Sequence, residues 1–312
     1  MQRSLQDYFK ITLKGMAMGA ADVVPGVSGG TIAFISGIYE ELINTISGVN
    51  LSLITTWKED GFKAMWRELN GNFILALFLG ILISLFSVMR LANYLLEHYP
   101  VLIWSFFFGL VVASIWYVGR QIPKWNIKIV VALILGAATA MYIVSLPPLS
   151  ANNSSLFLFF AGALAVCAMI LPGISGAFIL VLLGAYKSIT EAAHDFDLQT
   201  LAIVGGGAVF GLLTFSKVLK WLFVHYSNIT LAVLTGFIAG SLNKIWPWKE
   251  VLETATYGEK EIVLREASVL PWNFDGNPQT LWAVLLMIAG FLLIFGLELI
   301  ASKNPDPADA AN

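Results

Sequence analysis

Charge is scarce in this chain. Of 312 residues, 18 are basic and 20 acidic, which is 12% of the sequence. A soluble globular domain carries about 25% charged residues. A chain of this length could bury a large core, but it would then need polar residues to cover the surface. So little charge excludes a soluble enzyme, a nucleic-acid binder and a disordered protein. Cysteine is almost absent: Cys167 stands alone in an apolar run, which excludes a disulfide framework and a cysteine metal site. The three histidines are scattered, so no zinc motif assembles. No cofactor, metal or catalytic residue is assigned. The first 14 residues, MQRSLQDYFKITLK, lack the apolar run of a signal peptide and read as an amphipathic helix lying in a membrane interface.

What the chain has is apolar length. It is 58% hydrophobic, with a mean hydropathy of +0.78. A membrane span needs about 20 apolar residues. Six segments fit, at about 73–95, 101–118, 128–146, 200–222, 229–246 and 280–300. Two further apolar stretches, 15–43 and 156–187, are each interrupted by a proline-glycine run, PGVSGG at 25–30 and PGISG at 172–176. Proline inside a helix removes a backbone hydrogen bond and clashes with the preceding turn. Each stretch therefore reads as a re-entrant hairpin of two half-helices. Broken backbone at membrane depth is tolerated where it is buried in protein or lines a cavity. The segment 50–70 reads as a helix on the membrane surface.

Basic residues set the expected orientation. With the N-terminus in the cytoplasm, twelve of the 18 Lys and Arg fall on the cytoplasmic side, and the loop PPLSANNSS at 147–155 carries no charge. Both termini are then cytoplasmic, and 247–279 is a long, acidic outer loop. Most tryptophans fall near the proposed span ends, as an interfacial belt predicts.

The chain also repeats itself. PGVSGGTIAFISGIY (25–39) aligns without a gap to PGISGAFILVLLGAY (172–186), an offset of 147. Further on, Gly80, Arg90, Tyr94, His98, Tyr99 and Gly109 match Gly207, Lys217, Trp221, His225, Tyr226 and Gly236 at an offset of 127. The expected fold is an all-α polytopic membrane protein of two repeats. Residues 1–150 hold the amphipathic helix, one hairpin, the surface helix and three spans; residues 151–312 hold the second hairpin, three spans and the outer loop. Three spans are an odd number, so the second repeat enters from the opposite side. Inverted repeats with helices broken at mid-depth point to a secondary transporter.

The hairpin tips carry the candidate site. Pro25, Gly26, Pro172 and Gly173 break the helices. Ser28, Gly29, Gly30 and Thr31, with Ser175 and Gly176, open new ones, where unpaired N–H groups and a serine hydroxyl suit a phosphate or carboxylate. The alternative is that these glycines only permit close helix packing. Arg90 and Lys217 are matched cations in apolar helices, where a charge is costly. They are candidates for an anionic headgroup, with snorkelling to the interface as the alternative. Asp22, in the first hairpin arm, is a candidate for binding H+ or Na+, or for pairing with a cation; its repeat counterpart is Met169.

GMAMGAADVVPGVSGGTIAFISGIYEELI and the second motif LPGISGAFILVLLGAY resemble the polyprenyl-phosphate transporter family of bacteria and archaea, over about residues 10–300. The resemblance implies a translocase in the bacterial cytoplasmic membrane. Its lipid substrate would be undecaprenyl phosphate, returned from the outer to the inner leaflet for reuse in cell-wall glycan synthesis. The resemblance marks Asp22 to Thr31 and Pro172 to Gly176 as motif residues. Two other readings stand beside it. One is a membrane polyprenyl-diphosphate phosphatase, whose Pro-Gly-x-Ser motif continues with an arginine where Gly29 and Gly176 stand here. The other is a carrier of small anions, or a scaffold for envelope assembly.

Overall fold

The computed structural model describes residues 3–23, 28–150, 152–257 and 260–303. Pro25 and Gly26 of the first break lie outside the described residues, as do the side chains of Arg90 and Glu298. The chain is helical apart from one β-hairpin. The first half runs α1 (Leu5–Val23), α2 (Gly29–Ile35), α3 (Tyr39–Ser47), α4 (Ser52–Asp60), α5 (Phe62–Glu68), α6 (Gly71–His98), α7 (Pro100–Gly119) and α8 (Ile127–Ser145). The second runs α9 (Ser155–Ile170), α10 (Gly176–Leu182), α11 (Tyr186–His194) and α12 (Leu198–Ser241). It ends with β1 (Lys249–Tyr257), β2 (Lys260–Ser268) and α13 (Thr280–Lys303). Helices α7, α8 and α12 are long and apolar enough to cross a membrane. The 20 residues of α7 extend about 30 Å, the thickness of a hydrocarbon core.

Three elements differ in detail from expectation. The amphipathic N-terminus and the first hairpin arm are one continuous helix, α1. Gly15 does not break it, because the glycine lies directly on the Leu77 carbonyl of α6. The surface segment 50–70 is two helices, α4 and α5, parted at Gly61, which adopts φ +82°. The spans at 200–222 and 229–246 meet end to end at Tyr226, whose backbone is not helical, so α12 comprises two helices joined across a kink. The loop at 247–279 contains an antiparallel two-stranded hairpin, β1 with β2, a local addition to an otherwise helical set of described residues.

Both proline-glycine stretches fold back on themselves: α2 lies against α1, and α10 against α9. The fold-back is followed by a turn at a glycine in the left-handed region, Gly37 (φ +74°) or its match Gly184 (φ +69°). Matched positions share more than this. Tyr99 has φ −136° and ψ 49°, and Tyr226 has φ −139° and ψ 43°. At Tyr99 the chain parts into two helices, because Pro100 has no N–H to continue the ladder. Tyr226 is followed by serine, and its backbone makes the same break between the two helices of α12. Just before each bend, His98 stacks on Tyr94 and His225 on Trp221, with ring centroids 4.3 and 5.0 Å apart.

Helix packing is matched as well. Glycines let backbones touch where a Cβ would collide. Gly80 meets the Thr12 carbonyl and Gly207 the Phe159 carbonyl; Gly15 meets Leu77 and Gly162 meets Val204. Gly15 lies on Leu77 and Gly19 on Ile81, so α1 and α6 run parallel. The later helices cross between the halves. Gly109 of α7 contacts Met287 of α13, and its match Gly236 of α12 contacts Leu133 of α8. The final helix of each matched half thus packs on the other half.

Candidate functional site

The two hairpins meet at their tips, and broken backbone explains how. In an uninterrupted helix the N–H of Gly173 would bond to the carbonyl of Met169, four residues back. Pro172 ends α9 before that bond forms, and Gly173 turns away at φ +89°. Both freed groups are taken up by the first hairpin. The Ser28 hydroxyl donates to the Met169 carbonyl at 3.2 Å, and the Gly173 N–H donates to the Thr31 hydroxyl at 2.9 Å. Ser28 and Thr31 are each 1% exposed, so water cannot replace these bonds. Gly30 is small for the same reason: a Cβ there would sit 2.7 Å from the Ile170 carbonyl.

The start of α2 is filled from within the chain. Ser28 caps it, its hydroxyl accepting from the Gly30 N–H at 3.1 Å, while its carbonyl accepts from Thr31 N–H at 2.9 Å. The Gly29 N–H donates to the Asp22 carboxylate at 2.7 Å. An anion thus already sits at this helix start, and it is the protein's own. Gly29 admits it, since a Cβ would lie 2.5 Å from Asp22 Oδ2. Among the described residues Asp22 has no cationic partner; its charge is met by backbone.

The second tip is built differently. Ser175 has the extended backbone of an N-cap, φ −90° and ψ 132°, but its side chain makes no capping bond. The position matching Asp22 is Met169, which contributes only its carbonyl. Gly176 packs on the Ala165 carbonyl. Pro172 is buried against the junction, and Gly173 lies close to Phe237 and Ser241 of α12. From Gly176–Leu182 to Tyr186–His194 the chain bends by 110°.

The junction therefore unites Ser28, Gly29, Gly30, Thr31 and Asp22 with Pro172 and Gly173, and leaves Ser175 and Gly176 uncapped beside it. Lys217 is exposed on α12, and no hydrogen bond or ion pair joins it to the junction among the described residues. Arg90 lies in α6, the helix that runs parallel to the arm bearing Asp22. No group of His, Cys, Asp and Glu suited to a metal ion occurs among the described residues.

Sequence reasoning missed two features. The Met169 carbonyl is an acceptor that no side-chain pattern reveals, although Pro172 three residues on signals a freed carbonyl. The other is a charge cluster on the β-hairpin. Glu266 of β2 binds Lys244 at 2.8 Å and Lys249 at 2.6 Å, and the two ammonium groups lie over the rings of Phe178 and Trp104. Burial disfavours ionisation of Glu266, but the two lysines outweigh it and hold its carboxyl below the usual carboxylate range. Burial lowers Lys249, partly offset by Glu266.

Apolar helices joined at broken, mutually bonded hairpins define a multi-pass membrane protein of the transporter class. A family model described as VCA0040-like, undecaprenyl phosphate translocase-like, matches residues 18–263, and the chain belongs to that family. It is 45% identical over 308 residues to a polyprenyl-phosphate transporter of Vibrio cholerae serotype O1, covering 97% of this chain and all of that protein. It is 32% identical over 253 residues to a polyprenyl-phosphate transporter of Staphylococcus aureus, covering 75% of this chain and 85% of that one. Both relatives carry the names of transporters and not of enzymes. No solved structure matches the chain.

Proposed function

We propose that this protein carries undecaprenyl phosphate from the outer to the inner leaflet of the bacterial cytoplasmic membrane, for reuse in cell-wall glycan synthesis. Its matched halves are inverted in the membrane, its hairpins are re-entrant, and both termini are cytoplasmic. The hairpin junction is the phosphate site, reached from either side in turn. The observation that carries this reading is the pair of hydrogen bonds between the tips, Ser28 to Met169 and Gly173 to Thr31. They seal polar backbone in the middle of an apolar molecule, and a hydrogen-bonded seal can part and re-form. The parallel run of α1 and α6 supports a common starting side for both helices.

In this mechanism a lipid phosphate displaces the Asp22 carboxylate from the Gly29 N–H and engages Ser28, Thr31, Ser175 and the glycine amides as the tips separate. Arg90 and Lys217 attract the headgroup at opposite faces, while the polyprenyl tail stays in lipid. Displacing Asp22 exposes a carboxylate that takes up H+ or Na+, which couples transport to an ion. The test is leaflet transfer of labelled undecaprenyl phosphate in liposomes carrying purified protein. Transfer above protein-free liposomes is expected. Ser28→Ala and Arg90→Ala should insert normally and slow transfer about tenfold or more, the scale of one hydrogen bond to a charged group. Asp22→Asn keeps an acceptor for Gly29 and should abolish ion dependence. Absence of lipid transfer overturns the reading. Equal uptake of inorganic phosphate would make the protein a small-anion carrier instead.

A further inference from the structure

One cavity shares no lining residue with the hairpin junction. It measures about 870 Å³ and opens between the start of α1, helix α5 and the start of α6. This is within the range of small-molecule sites. Its polar lining is cationic and aromatic: Arg3, Lys63, Arg67, Tyr8 and Trp66, with Asn72. Arg3 is neutralised by a two-pronged pair with Glu41, at 2.6 and 2.8 Å. Lys63 and Arg67 have no ion pair or hydrogen bond from their side chains among the described residues. The acidic groups of the same insert, Glu59, Asp60 and Glu68, do not line the cavity. Its floor is tied by side-chain hydrogen bonds: Trp66 Nε1 donates to Asn72 at 2.8 Å and Asn72 Nδ2 donates to the Tyr8 hydroxyl at 3.3 Å.

The surroundings say where such an anion would come from. On α1, Leu5, Phe9 and Leu13 are exposed at four-residue spacing, one apolar stripe running from the cavity mouth. On the insert, Leu51, Ile54, Trp57 and Phe62 are exposed too. Apolar stripes beside unpaired cations and interfacial tryptophans are the features of a segment seated at the headgroup level of a bilayer. The second half of the sequence has no counterpart to this insert.

We infer that this cavity binds the headgroup of an anionic phospholipid, with Lys63 and Arg67 on the phosphate, Trp66 and Tyr8 at its rim, and the acyl chains along the α1 stripe. It is separate from the translocation site and anchors the α4–α5 insert to a negatively charged leaflet. The test follows thermal melting of the full-length protein in detergent as short-chain phosphatidylglycerol is added. The wild type should be stabilised. Lys63→Ala/Arg67→Ala should need about thirtyfold more lipid for the same shift, from roughly fivefold per basic residue at an anionic surface. Lys63→Arg/Arg67→Lys should stay within a few-fold of wild type. Raising salt from 0.05 to 0.5 M should weaken the response of the wild type itself, a readout that needs no variant. An unchanged response in the double alanine variant, or insensitivity to salt, overturns the inference. Equal stabilisation by phosphatidylcholine overturns the role of charge, and equal stabilisation by inorganic phosphate overturns the assignment to a lipid.

Discussion

Thr31→Val tests the hairpin junction at its narrowest point. Valine matches threonine in shape and removes only the hydroxyl. That hydroxyl accepts the Gly173 N–H at 2.9 Å in a position 1% exposed. Pro172 has already denied Gly173 its helical acceptor, so the variant leaves a buried N–H with no partner. Such an orphan costs about 1–3 kcal/mol. Thr31→Ser keeps the acceptor and loses one methyl, about 1 kcal/mol. Two readouts separate these costs. Melting in detergent should fall on the order of 5 °C for valine and less for serine. Hydrogen exchange should show faster exchange at the Gly173 amide in the valine variant alone, because only there is the bond lost. If valine melts with the wild type and leaves that amide as protected as before, the tips are not held by this bond and the junction described here is wrong.

Two further outcomes follow from packing and charge. Gly80→Ala and Gly207→Ala should each destabilise by about 1–3 kcal/mol, since the added Cβ meets the Thr12 or Phe159 carbonyl, whereas Gly205→Ala, with open space around it, should be neutral in the same melting assay. The β-hairpin should be acid-sensitive. The carboxyl of Glu266 is held below its ordinary range, so its contribution is complete above that range and is lost as pH falls through the depressed folded value. Limited proteolysis of the hairpin at falling pH should show this loss, and Glu266→Gln should cleave readily at every pH.

The sequence made some of this legible and concealed the rest for identifiable reasons. Pro172 and the glycine runs announce broken helices, because proline acts locally on the residues beside it. The partner that repairs the break does not show, since Ser28 and Met169 are 141 residues apart. The repeat predicts that Tyr99 and Tyr226 are equivalent, and their backbone angles agree within a few degrees. It does not predict which helix each matched glycine touches. Asp22 stands out by its cost in an apolar helix. That cost suggests a cation, whereas the partner of the carboxylate among the described residues is the Gly29 N–H, which carries no charge in the sequence. The strands at 249–268 had a signal in Val251, Thr254, Thr256, Ile262 and Val263 around a central glycine. Reading the chain only for long apolar spans passes over it.

The exchange of final helices constrains how such a molecule can move. Rocking residues 1–150 as one body against 151–312 would pull Gly109 from Met287 and Gly236 from Leu133, contacts in which backbone meets backbone. Close glycine packing of this kind resists sliding, because no flexible side chain lies between the helices to absorb it. The junction of the tips has one close glycine contact, Gly30 on Ile170, and few polar links: Ser28 to the Met169 and Leu171 carbonyls and Gly173 to Thr31, each worth about 0.5–1.5 kcal/mol net. Motion should therefore concentrate in the short elements α2 and α10. Their turns at Gly37 and Gly184 already occupy the left-handed region, and Gly37 has nothing within 4 Å of where a Cβ would be. The long helix pairs, held by the crossing of α8 and α13, should then act as the frame, and the two short hairpins are where opening is expected.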